Sequence, residues 1–311
     1  MEKLIEIKEL NKSFGNVKAL DNLNFNLYSG DIYGLVGENG AGKSTLLKVI
    51  AGHINKTSGS CTVLNMDLDK SFEFRKECGF LIESPAFYSY MTGIKNLNYL
   101  AELRNIKIDN EILEIAEFFN IDSVLNKKVK GYSTGMRQRL GILAAVMHKP
   151  RILILDEPIN GLDPSGIIDL RNFLLKINKE WNTTIIVSSH ILNELSQIAN
   201  RIGIIKNGSM LEEITLEDLK ERNKKFLKLV PFEKEELPKV VNILEEKLKI
   251  YDFKVMPNSV IEIYSGADRL IIQKTLAKND IYLSSISIEE NTLEEYYMDL
   301  VGGGENDIFK S

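Results

Sequence analysis

Gly37-Glu38-Asn39-Gly40-Ala41-Gly42-Lys43-Ser44-Thr45 decides the reading of this chain. The stretch fits the phosphate-loop pattern G-x-x-x-x-G-K-[ST] at every fixed position. A short apolar run, Ile32-Tyr33-Gly34-Leu35-Val36, precedes it and reads as a buried strand, and Lys43 to Gly52 reads as a helix. Glycines here let consecutive backbone N–H groups turn inward around phosphate oxygens, and the helix N-terminus adds its dipole. Gly37, Asn39, Gly40, Ala41, Gly42, Lys43, Ser44 and Thr45 are therefore the expected phosphate-binding residues. Lys43 is expected to reach the β- and γ-phosphates, and the Ser44 hydroxyl to ligate Mg²⁺.

A second buried-strand run, Arg151-Ile152-Leu153-Ile154-Leu155, ends in the carboxylates Asp156 and Glu157. Asp156 is expected to hold Mg²⁺, together with Ser44. Glu157 is expected to polarise the attacking water as a general base.

A third segment, Tyr132-Ser133-Thr134-Gly135-Met136-Arg137-Gln138-Arg139, has its Ser133 placed 23 residues before Asp156. It resembles the signature motif of ATP-binding-cassette (ABC) ATPases, although Thr134 and Met136 depart from the common Leu-Ser-Gly-Gly-Gln. Further family elements fall in order over residues 3 to about 215. Gly161-Leu162-Asp163 resembles the D-loop, where Asp163 would help join two subunits. His190, after Ser188-Ser189, matches the switch histidine that contacts the γ-phosphate. Phe14 matches the aromatic that stacks on adenine, with Val17 nearby. The resemblance implies ATP and Mg²⁺ as ligands and Lys43, Glu157 and His190 as the catalytic set. It also implies a head-to-tail dimer in which Ser133 and Gly135 of one copy meet the γ-phosphate held by the other, through free N–H groups and a helix dipole.

One departure stands out. Where the family usually carries Gln after the strand that precedes its helical insert, the strand Cys78 to Ile82 leads to Glu83-Ser84-Pro85. A carboxylate at Glu83 can still ligate Mg²⁺ or orient water, but it adds negative charge near the phosphates. In this loop the chain resembles the ATPases of bacitracin-resistance and lantibiotic-immunity exporters.

The fold class expected is α/β: a phosphate-loop ABC ATPase core with a helical insert, followed by a small α+β domain. Strands alternating with helices imply a mainly parallel sheet. Residues 1–221 form the expected ATPase domain, with the insert at about 84–149. In the insert, Asp109 reads as a helix N-cap and Gly135 to His148 as a helix stopped by Pro150. Leu192 to Asn200 reads as a short helix, and Asn207-Gly208 as the turn of a closing hairpin. Residues 222–311 read in the order β-α-β-β-α-β, with one helix over Lys234 to Leu248, and so as a ferredoxin-like accessory domain. Thr292 to Leu300 reads as a last helix, and Gly302-Gly303-Gly304 opens a loose tail.

Composition narrows the function. With 44% hydrophobic and 27% charged residues, the chain has the material for a core and is not disordered. Its net charge of −5 makes nucleic acid an unexpected partner. Two cysteines, Cys61 and Cys78, fit a reducing cytoplasm. The N-terminus places charges where a secretory signal would be apolar, and no stretch is long enough to span a bilayer. The basic cluster Lys127-Lys128-Val129-Lys130 reads as a solvated face.

Together these point to the ATP-hydrolysing subunit of a bacterial ABC transporter, cytoplasmic and peripheral on the inner face of the membrane. A separate permease would complete the machine, and the cargo would be a peptide antibiotic or similar amphiphile. Two other readings stay open: a soluble non-transport ABC ATPase, and an ATP-gated regulatory module.

Overall fold

The computed structural model describes residues 2–222 and 225–290, together with 297 and 300. The expected last helix, Thr292 to Leu300, lies outside the described residues except at Tyr297 and Leu300, and so does the Gly302-Gly303-Gly304 tail. The chain divides into two compact units, Met1–Leu216 and Glu217–Ser311.

The first unit opens with two long strands, β1 (Lys3–Phe14) and β2 (Val17–Tyr28), paired as an antiparallel hairpin. Ile5, Ile7 and Leu10 of β1 and Leu23, Phe25 and Leu27 of β2 turn inward and are almost fully buried. β3 (Ile32–Val36) is buried along its whole length and runs into the phosphate loop and α1 (Lys43–Ile50). β4 (Ser58–Val63) and β5 (Met66–Asp67) then complete a four-stranded sheet in the order β2-β1-β4-β5. β4 pairs antiparallel with β1, so this layer departs from the expected parallel pattern.

β6 (Cys78–Leu81) leads into the helical insert of α2 (Gly93–Leu103), α3 (Asn110–Phe118) and α4 (Thr134–Val146). Side chains cap all three: Thr92 Oγ1 accepts from Lys95 N–H, Asp109 Oδ1 from Ile112 N–H and Ser133 Oγ from Met136 N–H. Then follow β7 (Ile152–Asp156), α5 (Pro164–Trp181), β8 (Thr184–Ser189), α6 (Leu192–Ser196), β9 (Arg201–Lys206) and β10 (Ser209–Thr215). α6 is shorter than the helix expected to Asn200.

These strands form a six-stranded sheet in the order β10-β9-β3-β8-β7-β6. β3, β6, β7, β8 and β9 are parallel, and β10 closes one edge antiparallel. Its turn, Asn207-Gly208, has both residues at positive φ, as a two-residue hairpin of right-handed strands needs.

The second unit contains α7 (Leu216–Arg222, whose first residue closes the first unit), β11 (Lys225–Pro231), α8 (Leu237–Asn242), β12 (Phe253–Val255), β13 (Ile261–Ile263), α9 (Arg269–Ala277) and β14 (Leu283–Glu290). Its sheet is antiparallel, in the order β12-β13-β11-β14, and α8 and α9 supply Val240, Ile272 and Leu276 to its core. This is the ferredoxin-like β-α-β-β-α-β order. The helix read over Lys234 to Leu248 is broken: a 3₁₀ turn, α8 and a π-turn at Ile243–Lys247 follow one another. No helix among the described residues is long and apolar enough to cross a membrane.

The insert is tied to the sheet at the N-terminal end of β6. The Cys78 carbonyl accepts from Arg104, at the end of α2, at 3.3 Å, and lies 3.1 Å from His148 Nε2, just past α4. Burial, and then the Arg104 charge, push the His148 imidazole down to about 4, against the opposing pull of that carbonyl. Below its unfolded value of 6.5, the unfolded chain takes up a proton that the folded chain refuses. The associated stability is therefore intact above pH 6.5 and is lost as pH falls toward 4. We expect acidification to cost about 2 kcal/mol through this ring, discounted for its partial exposure. Urea unfolding near neutrality and again in mild acid should show that loss, and a His148→Gln variant should lack this part of it.

Candidate functional site

The site lies at the C-terminal ends of the parallel strands. Pairing puts Val36 of β3 beside Ser189 of β8, Asp156 of β7 beside Ser188, and Leu81 of β6 beside Leu155. The residues that leave these strands, Gly37, Glu83, Glu157 and His190, are thereby delivered to one edge of the sheet. Open α/β sheets bind their ligands at this edge.

The phosphate loop turns into α1 at Gly42, whose φ of 112° strains any residue with a side chain. A Cβ there would also lie 2.8 Å from the Ala19 carbonyl. No side chain caps α1, so its first N–H groups remain available to an anion. The Asn207-Gly208 turn braces the loop: Gly208 N–H donates to the Ala41 carbonyl at 2.8 Å. Lys43 is buried, and its ammonium donates to the carbonyls of Gly37 (2.7 Å) and Glu38 (3.2 Å).

Lys43 Nζ also stands 3.4 Å from Glu157 Oε1. The other Glu157 oxygen, Oε2, accepts from His190 Nδ1 at 2.9 Å. Glu157 thus links the phosphate-loop ammonium to the histidine, with its backbone held in the left-handed region at φ 48°. Oε1 is buried and makes no hydrogen bond. It is an acceptor aimed into the site with only the Lys43 charge to answer it.

Ser188 organises the two acids. Its hydroxyl donates to Asp156 Oδ1 at 2.6 Å and accepts from Glu157 N–H at 2.9 Å. Both Ser188 and Asp156 are buried. Asp156, Glu157, Glu83, Thr134, Gln138 and Gly161 line one open cleft. Glu83 also sits in the left-handed region, at φ 63°, and pairs with Lys48 of α1.

Ser133 and Gly135 are placed at the start of α4, and their contacts lie there and in the loop after β7. Ser133 Oγ caps the helix, and Ser133 N–H donates to Met136 Sδ at 3.4 Å. Gly135 and Gly161 approach so closely that a Cβ on Gly135 would lie 2.8 Å from the Gly161 carbonyl. Gln138 Nε2 donates to the Pro158 carbonyl at 3.0 Å, and Arg139 pairs with Asp163 at 2.6 Å. Asp163 also accepts from Ser165 Oγ, and these contacts hold its carboxyl below the usual range, the Ser165 bond most of all.

Phe14 is half exposed at the tip of the β1–β2 hairpin, with the Lys12 ammonium 4.7 Å from its ring centroid, and Val17 opposite is more exposed still. A core role for Phe14 is excluded by that exposure. Cys61 and Cys78 are buried free thiols, each pushed up to about 12 by burial. They take no part in the site.

Residue patterns alone miss three contributors. Ser188 is hidden in what reads as a β-branched strand, Gln138 in the signature stretch, and Lys48 on the face of α1. Polar residues at the last positions of a buried strand would have pointed to Ser188.

The ABC transporter family profile matches residues 20–160. Over 98% of this chain and 99% of the relative's length, the chain is 39% identical to the bacitracin transport ATP-binding protein BcrA of Bacillus licheniformis. It is 36% identical to the lantibiotic transport ATP-binding protein SrtF of Streptococcus pyogenes, over 74% of this chain and 99% of that protein. Among solved structures, the ATP-binding cassette MJ0796, a dimer bound to ADP and Pi, superposes with a TM-score of 0.63 at 25% identity. That match covers 68% of this chain and 99% of the other.

Replacing Ser188 by Ala should leave the buried Asp156 carboxylate and the Glu157 N–H each short of a partner. We expect a loss of about 1–3 kcal/mol of unfolding free energy and a lower rate of ATP hydrolysis, read from urea melts and phosphate release. Unchanged values in both would show that the hydroxyl bridge is dispensable.

Proposed function

The chain belongs to the ATP-binding subunits of ABC transporters and hydrolyses ATP, and from that premise we propose that it drives export of a peptide antibiotic, or a similar amphiphile, through a separate permease. The observation that carries the catalytic part of this reading is the contact chain Lys43–Glu157–His190 beside an uncapped phosphate loop. The cargo follows from the names of the relatives, of which the bacitracin transport protein matches along nearly the whole chain and the lantibiotic transport protein along 74% of it.

Phosphates of ATP would settle on the N–H groups between Gly37 and Thr45, of which that of Ala41 now donates to the Glu38 carbonyl at 3.1 Å, with Lys43 turned from its loop carbonyls toward the β- and γ-oxygens. Phe14 would stack on the adenine, with Val17 against it. In the reaction a water oxygen attacks the γ-phosphorus and the bond to the β–γ bridging oxygen breaks, giving ADP and inorganic phosphate. Glu157 takes the water proton. His190, whose Nδ1 holds Glu157, would touch the γ-phosphate with its remaining ring edge.

The donor set fits Mg²⁺. Among the described residues no group of three or more acidic, His or Cys side chains is arranged to hold a metal by itself. Mg²⁺ characteristically takes one or two protein oxygens and fills its other positions with substrate phosphates and water. Ser44 Oγ and Asp156 would supply such oxygens, with Ser188 already orienting the Asp156 carboxylate, while Glu83, at the rim, is engaged by Lys48. When bound, the ion would neutralise charge on the phosphoryl oxygens.

Two copies would assemble head to tail, so that Ser133 and Gly135 of one complete the γ-phosphate site of the other, and Asp163 would meet the partner at the same seam. The assembly would lie on the cytoplasmic face of the membrane against its permease.

Glu157→Gln tests the reading directly. Phosphate release should fall by roughly 10²–10⁴-fold while a fluorescent ATP analogue still binds. A cell carrying the chain together with its permease should tolerate more bacitracin or lantibiotic than a cell carrying the permease with the Glu157→Gln chain. Equal tolerance would remove the assigned cargo, and retained hydrolysis would remove the assigned base.

A further inference from the structure

Glu83 creates an electrostatic problem, and the structure shows what answers it. The cleft that Glu157 shares with the phosphate-loop lysine already holds Asp156 and Glu157, and Glu83 brings a third carboxylate to its wall. Its backbone is fixed in the left-handed region at φ 63°, two residues past the end of β6, which pairs with the strand that carries Asp156. ATP arrives with several negative charges of its own. An uncompensated carboxylate at this rim would oppose it.

The compensation comes from the phosphate-loop helix. Lys48, on α1 five residues beyond Lys43, reaches across to pair with Glu83. The Lys48 side chain is 28% exposed and that of Glu83 is 63% exposed. The cation is therefore the better-held partner and the carboxylate the freer one. His53 reports the same local field: burial lowers its imidazole first, then the charges of Arg75 and Lys48, and Glu83 pulls the other way. Lys48 thus belongs to a small basic cluster at the end of α1 that faces the one acidic side chain of this loop.

We propose that Lys48 is the positioning residue for Glu83, holding the third carboxylate of the cleft on the phosphate-loop helix and neutralising it so that the nucleotide phosphates can enter. The inference rests on the ATP-binding reading of the cleft. The pair gives a physical account of how this chain carries Glu where the family usually carries Gln: the extra charge is matched within the same subunit by a residue rigidly joined to Lys43 through one helix. Lys48 also sits in the last turn of α1, where a cation favours the helix dipole. That second role is structural, and the test has to separate it from the first.

The separation comes from a double-mutant cycle read on affinity as well as on turnover. Lys48→Met should weaken binding of a fluorescent ATP analogue to the full chain by about fivefold, in keeping with a partly exposed pair. The loss should shrink as salt is raised, and Lys48→Arg should largely retain affinity. In a Glu83→Gln background the same Lys48→Met change should alter affinity by less than about twofold. Lys48→Gln serves in place of Lys48→Met if the latter fails to fold. An equal loss in both backgrounds would assign Lys48 to helix stability alone and overturn the proposal, as would wild-type affinity in Lys48→Met. Failure of the unsubstituted chain to bind the analogue would instead overturn the ATP-site reading itself.

Discussion

The parallel register of β6, β7, β3 and β8 is the constraint on which the site depends. Because Asp156 lies beside Ser188 and Val36 beside Ser189, a phosphate loop, two acids and a histidine from distant parts of the chain leave the sheet at the same level. No side chain could make that arrangement alone. A slip of one residue in β7 would move Asp156 away from Ser188 and would send each of its side chains to the opposite layer. The continuous burial of β3, β7 and β8 guards against such a slip, since all their positions are packed on both sides.

A second level of order links the start of α4 to the loop after β7. Gly135 meets Gly161, Gln138 holds the Pro158 carbonyl, and Arg139 pairs with Asp163. Within one chain, the residues that would face a partner copy are therefore locked to the segment that follows the catalytic acids. Asp163 follows Glu157 by six residues, across turns closed by Asn160 N–H on the Glu157 carbonyl at 3.2 Å and Leu162 N–H on the Ile159 carbonyl at 3.1 Å.

Much of this is legible in the residues. The loop from Gly37 to Thr45 and the acids after Ile152–Leu155 are visible because fixed glycines, a lysine and paired carboxylates at strand ends are rare by chance. The ferredoxin-like order of the second unit can be read from strand and helix patterns, since its sheet takes the order β12-β13-β11-β14. What escapes reading is set by tertiary context. β4 consists of Ser58-Gly59-Ser60-Cys61-Thr62-Val63, a sequence with little apolar pattern, and it is a strand because β1 offers it an antiparallel edge. The π-turn after α8 interrupts a helix whose apolar spacing gives no hint of it. Ser188 and Lys48 act through partners 31 and 35 residues away or more, and spacing along the chain cannot display such pairs.

The central place of β3 has a kinetic side. It is flanked by β9 and β8, its five residues are buried, and its backbone is paired along both edges. Amides in such a strand exchange with solvent only when the whole domain opens, whereas loop amides exchange through small local fluctuations. The phosphate loop begins at Gly37, immediately after the last residue of that strand. Its N–H groups are thus free to rearrange around an anion while their point of suspension stays among the slowest-opening parts of the molecule.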